Sequence, residues 1–298
     1  MKNKTEYQEA VTQKMPRHDD PQDIAYVAKL KQCVLRESWA QKAFETIRER
    51  QITYLREVLA QSDNAAFVYT RTQQVLEEVA ELLRARIADG AKLLREIPKG
   101  HPTLLMTHHL STYKLTGFES KKELGFAIPG YEFIHPEPVL IAGLKPIAKV
   151  LGDTLSYASA DFPGVFGKIH REAGFLHIPP KETLTTGRTT YLLDETRQAF
   201  KRRPNTALVN FPEGQTSGKH TGRGPYDLEP FKTGGYVIAA ELGARVIPVA
   251  QYFDPKEGLQ LKVFPSYIPK SSDKAAMKAL ADKDQRQMQE WLNERQNS

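Results

Sequence analysis

From Asp23 to about Gln61 apolar residues recur at helical spacing among many charges, with Ile24, Val27, Leu30 and Val34 followed by Ile47, Ile52, Leu55 and Leu59. This spacing predicts one or two amphipathic helices. The polar stretch Gln61-Ser62-Asp63-Asn64 breaks the pattern, which resumes through Val75, Val79, Leu82, Leu83, Ile87 and Leu93 until Pro98-Lys99-Gly100 stops it. Residues 21–97 are thus expected to form a helical hairpin or small bundle, preceded by a loosely held arm over residues 1–20. Such a bundle either caps the following domain or offers a docking face to a lipid, a carrier protein or a second subunit.

After Gly100 the pattern changes to short apolar runs that end in polar or turn residues: Thr103 to Thr107, Phe175 to Ile178, Thr206 to Phe211, Val246 to Ala250 and Leu261 to Phe264. These have the length of buried strands, and helical stretches such as Leu192 to Arg202 and Gly235 to Leu242 lie between them. The alternation predicts an α/β layered domain over residues 98–298, with a largely parallel sheet flanked by helices. Ligands of such sheets bind beyond the carboxyl ends of the strands, which singles out the loops after Thr107 and Phe211. The tail from Ser271 to Ser298 reads as a charged terminal helix that packs Leu280, Met288 and Leu292.

A chain of 298 residues holds one large α/β domain and a smaller helical part, and 40% apolar with 26% charged residues is the composition of a chain that buries a core. The net charge of +6 and a pI near 9.1 favour anionic partners: phosphorylated metabolites, coenzyme A, acyl carrier protein or anionic lipid headgroups. Nucleic acid is not expected, because the basic residues are scattered among Asp and Glu and clusters such as Lys201-Arg202-Arg203 are short. Cys33 is the only cysteine, so an intramolecular disulfide and a cysteine zinc site are excluded and a reducing compartment fits. Met1 to Asp20 lacks the apolar core of a secretory signal, and no run approaches the roughly 18 apolar residues of a spanning helix. The expectation is a cytoplasmic protein, at most peripheral on the inner face of the membrane.

Two segments carry residues suited to chemistry. The first is Thr107-His108-His109-Leu110-Ser111-Thr112-Tyr113-Lys114, which follows a buried strand. A histidine there can serve as a general base, since its ordinary pKa near 6.5 leaves it largely neutral at physiological pH. The second is Leu208-Val209-Asn210-Phe211-Pro212-Glu213-Gly214-Gln215-Thr216-Ser217-Gly218, where an apolar strand runs into a turn whose glycine frees the backbone and whose Glu213 sits at the sheet edge.

The order of these segments resembles the glycerol-phosphate and lysophospholipid acyltransferase superfamily, marked by Asn-His-x-Ser-x-x-Asp, Gly-x-Ile-Phe-x-x-Arg, Phe-Pro-Glu-Gly-Thr-Arg-Ser and a late Val-Pro-Val strand. The first block is similar to His108 through Lys114, with its pattern degenerate, and the second to Gly174-Phe175-Leu176-His177-Ile178-Pro179-Pro180. Phe211 through Ser217 gives the third and Ile247-Pro248-Val249 the fourth, preceded by Phe231-Lys232-Thr233-Gly234-Gly235, which is similar to the family's helix entry.

The resemblance implies transfer of a fatty acyl group from acyl-coenzyme A or acyl carrier protein to a hydroxyl, in phospholipid or other lipid synthesis, without a cofactor or metal and without a covalent enzyme intermediate. It makes His109 the base, with His108 beside it, and gives Glu213 the positioning of the acceptor. Ser111, Lys114, Phe211, Pro212, Gly214, Gln215, Thr216 and Ser217 would line the substrate site. The acceptor is a small molecule or lipid, and peripheral contact with a membrane is compatible with it.

The chain departs from the family pattern at three places. Lys114 stands where the family has the acid that orients the histidine, and a cation cannot accept the imidazole N–H. Another acid, with Glu119 and Asp153 nearest in sequence, either substitutes or the chemistry is altered. Pro180 and Thr216 replace the arginines that grip an acceptor phosphate, leaving Lys181, Arg188, Lys219 and Arg223 as the neighbouring cations. A different alcohol, or an amine, becomes a candidate acceptor. Two alternatives stay open: a non-catalytic acyl-chain-binding relative, and a metal-dependent hydrolase built on His108, His109 and His220.

Overall fold

The polar break at Gln61–Asn64 is a turn between two packed helices. In the computed structural model, which describes residues 38–110, 141–160, 164–178, 187–214, 217–218 and 224–298, α1 (Ser38–Ala60) and α2 (Ala65–Leu82) form the expected hairpin. Asn64 caps α2 by accepting the Phe67 N–H at 3.1 Å. Tyr54, Leu55 and Val58 of α1 and Val68, Val75 and Val79 of α2 are buried, and the Tyr54 and Thr72 hydroxyls meet at 2.8 Å between the helices.

The helical reading fails beyond Leu82. Arg84 takes a φ of 52°, and Arg86–Asp89 is a strand, β1, followed by a short helix α3 (Ala91–Arg95). Ile87 lies opposite Leu261 of β7 (Gly258–Val263). Its helical spacing was coincidental: the open edge of β7 offers this stretch ladder bonds that an isolated helical turn lacks, and exposed Arg86 and Asp89 suit an edge strand. Residues 21–97 are therefore not wholly helical, and the boundary at residue 97 cuts across the sheet.

The sheet holds seven described strands in the order β1-β7-β6-β2-β5-β3-β4, with β2 (Thr103–Thr107), β3 (Thr154–Ala160), β4 (Leu176–Ile178), β5 (Thr206–Asn210) and β6 (Arg245–Asp254). Strands β6, β2, β5, β3 and β4 run parallel, so their carboxyl ends share one edge; β7 is antiparallel to β6 and β1 parallel to β7. Every residue of β2 is buried, which fits a strand covered on both faces and explains its unalternating apolar run. Strand β3 was not expected from the sequence. Thr107 lies opposite Val249, and β6 runs on through residues 250–254 against β7, about 17 Å beyond the end of β2.

Neighbouring residues of β6 show what covers each face. The Phe253 ring lies 6.1 Å from Trp39 of α1, whereas the Tyr252 ring lies 6.5 Å from Trp291 of α8 (Lys274–Gln296). On the first face α1 and α2 pack with α5 (Gly164–Glu172), and α2 also packs with α4 (Lys145–Leu151). On the second, α6 (Arg188–Arg202), α7 (Gly234–Leu242) and α8 pack in succession. The terminal helix is as expected and starts at Asp273, whose carboxylate accepts the Ala275 and Ala276 N–H groups. Its Asp284 is fully buried and accepts from Tyr267 at 2.7 Å and Tyr236 at 3.2 Å. Among the described residues no helix is long and apolar enough to cross a membrane.

Candidate active site

Strands β2 and β5 are neighbours, with Leu105 opposite Val209, so the two segments singled out by their residues emerge side by side at the carboxyl edge. After β5 the chain turns over Phe211–Gly214, closed by the Gly214 N–H on Phe211 O at 2.9 Å. Gly214 has a φ of +65°, and a Cβ there would stand 2.6 Å from the Lys232 ammonium nitrogen. Glycine is thus favoured by the backbone conformation, and Lys232 packs over the turn.

Glu213 ties this turn to the histidine loop. It is fully buried, and its Oε1 accepts the His109 backbone N–H at 2.7 Å and the Ser217 hydroxyl at 2.8 Å. Its Oε2 accepts the Glu229 N–H at 2.7 Å, and the Ser217 N–H donates to His109 O at 2.9 Å. Burial pushes the Glu213 carboxyl up to about 7, against three hydrogen bonds that favour the anion. All these donors belong to the protein, so Glu213 acts on whatever binds here through the backbone it holds.

The two histidines have different surroundings. His108 is fully buried; its Nε2 accepts the Gln251 N–H at 3.1 Å and lies 3.0 Å from Gln251 O, and its Nδ1 faces Ser217 Oγ at 3.4 Å. With Nε2 accepting, the proton sits on Nδ1 and points at Ser217, whose own proton goes to Glu213. Burial lowers the His108 pKa to about 4, which keeps the ring neutral. His109 is half-buried, and its ring lies 4.7 Å from that of Phe211. Of the pair, His109 is the less buried, while His108 holds β2, β6 and the Ser217 turn together.

Arg188 begins α6, and that end of the helix rises to the same edge: Thr189 approaches the start of α7 at Gly234, and a Cβ on the next residue, Gly235, would lie 2.8 Å from the Asn210 amide oxygen. Ser111, Lys114, Lys181, Gln215 and Thr216 lie outside the described residues, as do Glu119, Lys219, His220, Arg223 and Cys33. Asp153 does not reach the site. It precedes β3, whose Thr154 pairs with Thr206 at the start of β5, about 20 Å along the sheet from His109. Among the described residues no group of three or more His, Cys, Asp or Glu side chains is placed to hold a metal ion.

Lys232, Glu229 and Gln251 are at this edge without having been singled out by chemistry in the sequence. Gln251 carried a signal, as a polar residue following the apolar Val246–Ala250 run; Glu229 contributes a backbone N–H and carried none. No protein-family model matches the chain, and no curated protein matches it.

Proposed function

We propose that the chain is an acyltransferase with the layered architecture of the glycerolipid enzymes, moving a fatty acyl group from a coenzyme A or acyl-carrier-protein thioester to a hydroxyl or amine. The observation that carries this reading is the joining of the His109 loop and the Phe211–Gly214 turn through the buried Glu213 carboxylate. That contact makes one rigid unit of the two segments on which the family resemblance rests.

In this reaction His109 takes the proton of the acceptor hydroxyl as its oxygen bonds to the thioester carbonyl carbon. The tetrahedral intermediate collapses with cleavage of the carbon–sulfur bond, and the imidazolium returns the proton to the departing thiolate, giving an ester and a free thiol. His108, Ser217 and Glu213 are positioning residues, fixing the backbone from which His109 projects. Lys232 and Arg188 supply positive charge at the acceptor side in place of the family's arginines. The substrates place the protein in the cytoplasm or on the inner face of a membrane.

The test is free thiol release from palmitoyl-coenzyme A and palmitoyl-acyl carrier protein, with a crude lipid and metabolite extract as acceptor. Wild-type protein is expected to release thiol and His109→Ala to lose it by at least a hundredfold, the scale of a general base. Absence of thiol release with retained acyl-chain binding instead identifies a binding protein, in keeping with Lys114 at the position of the dyad acid.

A further inference from the structure

Two buried polar atoms on the α1-covered face, Gln251 Oε1 and the Trp39 indole Nε1, have no hydrogen-bond partner among the described residues. Gln251 is 0% exposed, and the rest of it is committed: its N–H goes to His108 Nε2 at 3.1 Å and its side-chain Nε2 donates to Thr107 Oγ1 at 3.1 Å. Turning the amide over leaves Nε2 without a partner in place of Oε1, so the deficit persists in either orientation. Buried polar groups in folded proteins are nearly always bonded, and a remaining one asks what completes it.

The position of the pair restricts the answer. Val249 lies opposite Thr107, the last residue of β2, so Gln251 is two residues beyond that pair, beside the loop that carries His108 and His109. Strand alternation puts Phe253 on the same face, about 7 Å further out, where its ring lies 6.1 Å from Trp39. The guanidinium of the exposed Arg84 covers the Trp39 ring at 3.9 Å. Outward from the end of β2 along this face, the order of groups is thus a buried amide, a buried indole N–H and then a cation.

A hydrocarbon chain satisfies neither polar atom, and a phosphate, which only accepts, meets both only with the Gln251 amide turned over. A secondary amide carries a donor and an acceptor and satisfies the pair in either orientation of the Gln251 side chain. Both thioester donors of the proposed reaction carry one arm, pantetheine, with two secondary amides between the sulfur and a terminal phosphate. We propose that Gln251 and Trp39 form the subsite for this arm, Gln251 reading the amide nearer the thioester, Trp39 the outer one, and Arg84 meeting the phosphate. The proposal rests on the acyltransferase reading.

The experiment measures equilibrium binding of palmitoyl-coenzyme A, palmitoyl-acyl carrier protein, the palmitoyl thioester of N-acetylcysteamine and palmitate to the full chain, in wild type, Gln251→Leu and Trp39→Phe. Trp39→Phe keeps an aromatic ring against Phe253 and under Arg84 while removing the N–H and part of the ring, and the unchanged palmitate binding controls for the lost ring volume. Each variant is expected to weaken both pantetheine-bearing thioesters about tenfold, the loss of one buried hydrogen bond, and to leave palmitate unchanged. The N-acetylcysteamine thioester keeps only the inner amide, so it should respond to Gln251→Leu and not to Trp39→Phe. Unchanged thioester binding in both variants, or an equal loss for palmitate, overturns the subsite while the acyltransferase reading stands on its thiol release. If wild-type protein binds palmitate but neither pantetheine thioester, the acyltransferase reading falls and takes the subsite with it.

Discussion

Glu213 accepts three hydrogen bonds in a fully buried position, and two of the donors are backbone N–H groups that cannot turn away. In Glu213→Gln the amide NH2 must face one of those N–H groups, which costs about 1–3 kcal/mol. The denaturation midpoint should fall with an unchanged slope, and an unshifted midpoint would remove the clamp from the account. Glu213 and His108 also titrate with opposite signs. The Glu213 pKa is raised from 4.5 to about 7, so its stabilising contribution is complete below pH 4.5 and is lost as pH rises through 7. The His108 pKa is lowered from 6.5 to about 4, so its contribution is complete above pH 6.5 and is lost as pH falls through 4. Relative to wild type, Glu213→Gln should therefore make the unfolding free energy climb more steeply with pH between 4.5 and 7, and His108→Gln should make it climb less between 4 and 6.5. The motifs showed that a carboxylate follows β5 and that histidines follow β2. They could not show that the carboxylate is consumed by an N–H group 104 residues away, because only the pairing of β2 with β5 brings the two together.

The position of the turn after β5 depends on how closely α7 approaches it. A Cβ on Gly235 would lie 2.8 Å from the Asn210 amide oxygen, at the last residue of the strand that carries the turn. Gly235→Ala should push α7 off β5 and lower thiol release several-fold at nearly constant helix content, measured by steady-state kinetics beside circular dichroism. The edge strand depends on Gly90, which has a φ of 81° and whose Cβ would overlap Val263 O at 2.0 Å. Gly90→Ala should cost about 2 kcal/mol or more and release the β1 amides to hydrogen exchange. The central strands with continuous apolar runs, β2 and β5 above all, were legible because they are buried on both faces. Strand β3, Thr-Leu-Ser-Tyr-Ala-Ser-Ala, was not, since its small and hydroxylated residues are accommodated by close neighbours, as where Ser156 donates to Gly174 O at 2.6 Å. The far half of β6 was missed for a related reason: Gln251-Tyr252-Phe253-Asp254 has no apolar run, and its pairing with β7 keeps it extended.

Helix α8 closes the second face of the whole molecule with Met277, Ala281, Met288, Trp291 and Leu292, all buried. Trp291→Ala is expected to cost about 3–5 kcal/mol, seen as a fall in melting temperature with no change in thioester affinity, since the proposed Gln251–Trp39 subsite lies on the opposite face of the sheet. The division into helical and α/β parts was only partly visible in the sequence, because the last residues of the helical stretch add an edge to the sheet through a pairing that no local pattern encodes. The same dependence on distant partners orders the events of folding. Glu213 joins a loop 104 residues before it to one 16 residues after it, so its bonds form only once the central strands have aligned and the chain has returned. That edge is thus expected to form last and to open first, and on the acyltransferase reading its openings would let an acyl chain leave while the strands beneath stay closed.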